Sequence, residues 1–275
     1  MSASYPLVRN RSAFSTRLGV SRSPSREGSS PSAASSCLMR SCIVLFYICT
    51  LCGTAFAQEN ADALYADRAN LASARRAADI WSAEAASNPR DFDADWKLAR
   101  ADYWLGGHAP EPERRSFLEK GIEAAKKAIA LEPNRPEGHF WLGADMGGLA
   151  ESFGLRAGLK YRGPIKDELE TVLRIDPLFQ QGSADRALGR WYYKVPGLFG
   201  GSNKQAEQHL RAALKANPIS TATHYYLAEL LVDEGRKAEA SAELQAVIDA
   251  PLDPFWGPED QDFKAKARAL LVKTK

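Results

Sequence analysis

Residues 188–218, LGRWYYKVPGLFGGSNKQAEQHLRAALKANP, decide how the rest of the chain is read. Leu188-Gly189 and Tyr192 lie at the spacing of one helical face, and Pro196 with Gly197, Gly200 and Gly201 then breaks the helix. Ser202-x-x-Gln205 has the form of a capping box. It opens a second run, in which Ala206, Leu210 and Ala213 recur on one side until Asn217-Pro218 ends it. The segment is therefore a helical hairpin, a unit that buries its apolar faces only by stacking on neighbours.

Its closing phrase recurs. AEAASNP ends at Pro89, KKAIALEP at Pro133, LETVLRIDP at Pro177 and LRAALKANP at Pro218, with spacings of 44, 44 and 41 residues. Proline suits this position because it cannot continue one helix, and its fixed φ suits the entry to the next. Equivalent residues recur in phase. Trp96, Ala99 and Tyr103 precede Ala125 and Ala128, while Leu142-Gly143 and Met146 precede Leu169 and Val172. Leu227-Ala228 and Leu231 precede Ala240, Leu244 and Val247, and a partial first unit holds Ala77 and Trp81. This is the tetratricopeptide pattern, in which a small residue at the eighth place lets paired helices approach and larger ones fill the gaps. The expectation is an all-α, tetratricopeptide-like superhelix over residues 58–275, with about five antiparallel helix pairs and a capping helix from Pro258 to Val272. Extra residues at 105–116, 147–164 and 194–203 are expected between paired helices, projecting at a binding edge.

Charge is divided along the chain. Of the formal +2, residues 1–57 carry six arginines against Glu27, or +5, which leaves −3 for the body. A mildly acidic body gives no footprint for nucleic acid. Cys37, Cys42, Cys49 and Cys52 all precede residue 58, so the body can hold neither a disulfide nor a thiolate metal site. Cys49-x-x-Cys52 falls in an apolar run and reads as incidental. From Met39 the order is Arg40, an apolar stretch from Cys42 to Gly53, then Ala55-Phe56-Ala57, the layout of a signal peptide (39–57) cleaved after Ala57. The body is expected to be periplasmic or secreted, with membrane contact only through an uncleaved signal. Residues 1–38 form a Ser/Arg-rich leader, open to two readings: translation beginning at Met39, or an organelle-targeting peptide.

The segment 188–218 resembles the T-component of periplasmic TRAP transporters: an L-G/aromatic stretch, a proline-containing loop, Gly-Gly, then a helix of the kA-x-x-h-h-x-x-A-L type. Pro258-Glu259-Asp260 through Ala269-Leu270-Leu271 is similar to that family's C-terminal helix. A more distant likeness is to eukaryotic regulators of microtubule dynamics. The first resemblance implies an exported binding protein that associates with a solute-binding protein and carries its ligand. Members are often lipoproteins, whereas no lipobox precedes Cys49 or Cys52 here.

In tetratricopeptide arrays the first helix of each pair lines a concave groove. Its groove-facing places fall here on Lys97, Ala101, Trp104, Phe140, Arg186, Arg190, Tyr193, Tyr225 and Glu229. Arg186, Arg190 and Lys194 are spaced i, i+4, i+8 on one face, where guanidinium groups could clamp a carboxylate while Tyr193 and Tyr225 hold an apolar tail. A solvated face is the alternative for that stripe. Trp104 and Trp141 are the tryptophans expected nearest a ligand. Asp91, Asp93 and Asp95 imitate the start of a calcium loop, but Trp96 stands where that loop needs glycine, and the repeat phase puts them on a helix. His108, His139, His209 and His224 have no metal spacing, His139 and His224 falling at a packing place. No catalytic motif appears, and no metal or cofactor is expected. Two partner classes remain: a protein partner, with a general interaction scaffold as the alternative role, or a small organic acid. They differ in whether 147–164 folds over the groove.

Overall fold

The structure is a computed structural model, and it describes residues 60–274. The leader, the signal segment and its cleavage point, and all four cysteines lie outside the described residues. Within them the chain forms eleven α-helices and no strand. They are α1 (Ala61–Ala66), α2 (Leu71–Ser87), α3 (Phe92–His108), α4 (Glu111–Leu131), α5 (Pro136–Ser152), α6 (Leu155–Ile175), α7 (Ser183–Lys194), α8 (Asn203–Ala216), α9 (Thr221–Asp233), α10 (Lys237–Asp249) and α11 (Gly257–Thr274). Each recurrent proline follows an even-numbered helix. Five hairpins, α1/α2 to α9/α10, therefore stack in order with α11 as the cap. α3 also touches α5, α7 touches α9 and α9 touches α11, so the odd helices form the inner wall.

Local chemistry sets the boundaries. Asn60, Asn70, Asp91, Ser202 and Ser220 each accept a backbone N–H of the following first turn. Ser202 takes its bond from Gln205 N at 3.3 Å, as the capping box predicts. Pro136 opens α5, where its missing N–H costs nothing. Asp91 caps α3 and Asp93 accepts Trp96 Nε1 at 2.9 Å, so these acids serve a helix start.

One expectation needs correcting. Only 195–202, which includes a 3₁₀ turn (Gly197–Phe199), is a loop between paired helices; the other two extra stretches are helical. α3 runs to His108 and α4 starts at Glu111, while 147–164 form the end of α5 and the start of α6 around Gly154 at φ +81°. The added turns bury Leu105 and Leu149 against neighbouring helices.

Leu188 and Leu227 are fully buried, and the two eighth-place glycines differ in how closely the paired helix approaches them. A Cβ on Gly189 would lie 2.6 Å from Leu210 Cγ, whereas one on Gly143 would stand 3.3 Å from the nearest atom of Leu169. Overpacking costs roughly 1–3 kcal/mol and helix propensity returns about 1 kcal/mol. Gly189→Ala is therefore expected to destabilise by about 1–2 kcal/mol and Gly143→Ala to be near neutral, both read from urea unfolding midpoints.

His139 and His224 show the same arrangement in two repeats. Nδ1 meets Glu168 or Glu243 at 2.5 Å, and Nε2 meets the carbonyl of Pro133 or Pro218 at 3.0 or 2.9 Å. With acceptors at both ring nitrogens, the imidazolium form is favoured. The pKa of His139 is raised chiefly by the Glu168 hydrogen bond. That of His224 is lowered by burial but raised on balance by Glu243 and the Pro218 carbonyl.

Candidate functional site

The array curls until its two ends meet. Arg68, fully buried just after α1, donates to Glu259 Oε1 of α11 at 2.9 Å and to Phe255 O at 2.6 Å. At the end of α3, His108 Nε2 lies 2.8 Å from Asp262 of α11. The concave face is thereby bounded by α11 on one side, and on another by α6, whose Leu155, Gly158, Leu159 and Arg162 line it. The result is a partly open cavity of about 1020 Å³ walled by α3, α5, α7, α9 and α11. Its size matches the upper end of small-molecule sites. Residues 147–164 thus cover the groove in part.

Of the residues singled out by repeat position, Trp104, Phe140, Arg186, Arg190, Lys194, Tyr225 and Glu229 line this cavity, as does Trp141. Lys97, Ala101 and Tyr193 do not, Ala101 being fully buried in the core. Lys97 pairs with Asp62 at 2.8 Å, on the α1 side. Tyr193 turns to α9, where its hydroxyl bonds Asp233. Trp104 donates its Nε1 to Arg68 O at 2.8 Å and stacks on His108 at 3.6 Å, so it also braces the closure. Phe140 packs edge-on against Trp141 and Phe179.

The three cations of the α7 stripe have different surroundings. Arg190 donates to both oxygens of Glu151, at 2.9 and 3.0 Å, and to Glu229. Burial alone would lower its pKa, but these carboxylates and Tyr226 raise it on balance, and its charge is already compensated. Lys194 is exposed at the rim, with Nζ 4.5 Å from the Tyr193 ring centre. Arg186 forms neither an ion pair nor a hydrogen bond among the described residues. Its accessible surface opens into the cavity, and desolvation by the surrounding walls lowers its pKa, with Tyr226, Tyr103 and Glu259 pulling the other way. A desolvated guanidinium without a carboxylate is a costly arrangement. An incoming anion removes the cost.

Sequence reasoning missed Tyr226 and Tyr103 as electrostatic neighbours of Arg186, although both stand on groove helices. It also missed a seam of buried acids between α3, α4 and α5. Asp102 and Asp145 are both buried, and Asp102 Oδ2 and both Asp145 oxygens find no hydrogen-bond partner among the described residues. Burial pushes Asp102 up to about 8, and burial with the nearby Asp102 raises Asp145 well above the carboxylate range. A lone acid within an apolar run, as in RADYWLGG or LGADMGGL, was the available signal.

Fold and cavity together define a helical-repeat binding protein. The chain belongs to the family described as Regulator of microtubule dynamics protein 1-3, whose model matches residues 57–200. The model of the TRAP transporter T-component matches residues 157–274. Among curated proteins, Regulator of microtubule dynamics protein 3 of Xenopus laevis is 28% identical over 140 residues, which cover 50% of this chain and 29% of that protein. The Bos taurus protein is 25% identical over 173 residues, covering 57% of this chain and 36% of its own length. The chain thus spans about a third of these relatives. The crystal structure of a thermophilic TPR protein of Thermus thermophilus superposes with a TM-score of 0.58 at 21% identity, over 76% of this chain and 96% of that one, which shows the shared fold.

Proposed function

We propose that this chain is a non-catalytic carrier whose partly enclosed helical-repeat groove holds a small organic acid, its carboxylate on Arg186 and its apolar part among Phe140, Trp141 and Tyr226. The observation that carries this reading is the unpaired, desolvated guanidinium facing a cavity of about 1020 Å³. Arginine binds carboxylates bidentately, and a few fixed polar groups in an apolar cavity are the ordinary make-up of a small-molecule site. A peptide-threading scaffold fits less well, because contacts between α11 and the start of the array close the groove.

The likeness to the TRAP T-component supports a transporter-associated role, with a solute-binding protein as the partner that exchanges the ligand. The signal-like layout of residues 39–57 supports a periplasmic or secreted setting for that role. The names of the curated relatives suggest microtubule regulation instead, but the shared segment is a minority of each relative. The test is to denature the purified full chain, identify released small molecules by mass spectrometry, and titrate recovered acids back calorimetrically. Binding of carboxylates but not of their amides supports the reading. Equal binding of acid and amide, or of neither, overturns it.

A further inference from the structure

Around the cavity mouth the molecule changes character. Residues 152–164 and 194–206 contain Arg156, Lys160, Arg162, Lys194 and Lys204 and no acid, in a body whose net charge is −3. None of the five is paired with a carboxylate among the described residues, whereas Arg190, Arg211 and Arg236 are. The same two segments expose large apolar side chains: Leu198 at 89%, Leu155 at 73%, Phe199 at 37% and Leu159 at 36%. They form one surface, since Trp191 Nε1 donates to Arg162 O at 2.8 Å and the Arg162 guanidinium lies 5.2 Å from the Phe199 ring centre. Leu155, Leu159 and Phe199 also line the cavity, so the patch rims its opening.

We infer that this rim is a docking surface for an anionic membrane. Protruding leucines within an unpaired cationic field meet both requirements of interfacial binding: apolar tips to enter the headgroup region, and charge to hold anionic lipid. A soluble acidic partner would account for the cations but not for leucines that packing leaves almost fully bare. The orientation follows: α6 and the 195–202 loop face the bilayer, and the cavity opens toward it. This surface belongs to the folded body and does not depend on what the cavity holds.

The experiment is hydrogen exchange by mass spectrometry on the full chain, with phosphatidylcholine vesicles carrying or lacking phosphatidylglycerol, so that the N-terminal apolar segment is read separately. Protection is expected over 153–164 and 195–204 with the anionic vesicles, and is expected to fade as salt is raised. Leu155→Ser with Leu198→Ser, both at exposed positions, should weaken vesicle affinity of these segments by about tenfold with the circular dichroism spectrum unchanged. Protection confined to residues before 60 or equal with neutral vesicles overturns the inference. So does equal protection by polyglutamate, or protection unaltered in the double variant.

Discussion

Arg186→Met is expected to lower affinity for a carboxylate ligand about a hundredfold while leaving the helical content as it is. A desolvated charge-assisted pair is worth roughly 2–5 kcal/mol, and a hundredfold corresponds to about 2.7 kcal/mol. Because the guanidinium has no carboxylate partner among the described residues, its loss removes a desolvation cost without orphaning an acid. Thermal stability without ligand should therefore hold or rise. Arg190→Met makes the contrast. There Glu151 and Glu229 lose the cation between them and Tyr226 loses a guanidinium 4.5 Å from its ring centre, so stability should fall. Calorimetric titration and melting curves on the two variants separate binding from structure. An Arg186→Met chain that binds carboxylates as tightly as the parent removes the carboxylate reading.

That contrast marks where sequence stops being informative. The hairpins were legible because a physical constraint repeats. Each proline stops a helix, each eighth-place Gly or Ala permits close approach, and Leu188, Leu210, Leu227 and Leu244 recur in the core. The α7 stripe was legible as three cations on one face. Which of them is paired was not, because Glu151 and Glu229 each lie 39 residues from Arg190 and reach it only through the curvature of the array. Joint removal of Arg186 and Arg190, the natural choice from spacing alone, would confuse loss of a ligand contact with loss of a structural pair. Ring closure was illegible for the same reason. Arg68 and Glu259 are 191 residues apart and belong to no repeated pattern. The extra residues failed in the other direction. Their length was visible, but whether they lengthen helices or form loops depends on the apolar faces of neighbouring repeats.

The buried acids of α3 and α5 make a second large effect, set by pH. Asp102 titrates near 8 when folded and near 3.8 when exposed, so the folded state holds its proton through a range in which the unfolded chain releases it. Its contribution to stability is therefore fully present in acid below about 4, and is lost as pH rises until the folded carboxyl also ionises near 8, at on the order of 1 kcal/mol per pH step. Asp145, raised by burial and by Asp102, acts in the same direction. His139 and His224, also raised, hold their stabilisation below about 6.5 and lose it above their folded values. Glu207 and Glu239, lowered chiefly by hydrogen bonds from Arg236, oppose this only toward acid, losing their contribution as pH falls below the ordinary glutamate range. The most stable condition should accordingly be mildly acidic. Asp102→Asn keeps a neutral group of the same shape at every pH. It should match the parent at about pH 4 and exceed it by on the order of 4 kcal/mol at about pH 9, measured by urea unfolding at both values. The histidine contribution is common to both chains and cancels in the comparison, so parallel pH dependences would mean that the carboxyl ionises freely inside the fold. The seam between α3, α4 and α5 would then have to admit water. It adjoins Ala144 and Gly148 of the cavity wall, and a wet seam there would remove the low dielectric that makes Arg186 a strong anion site.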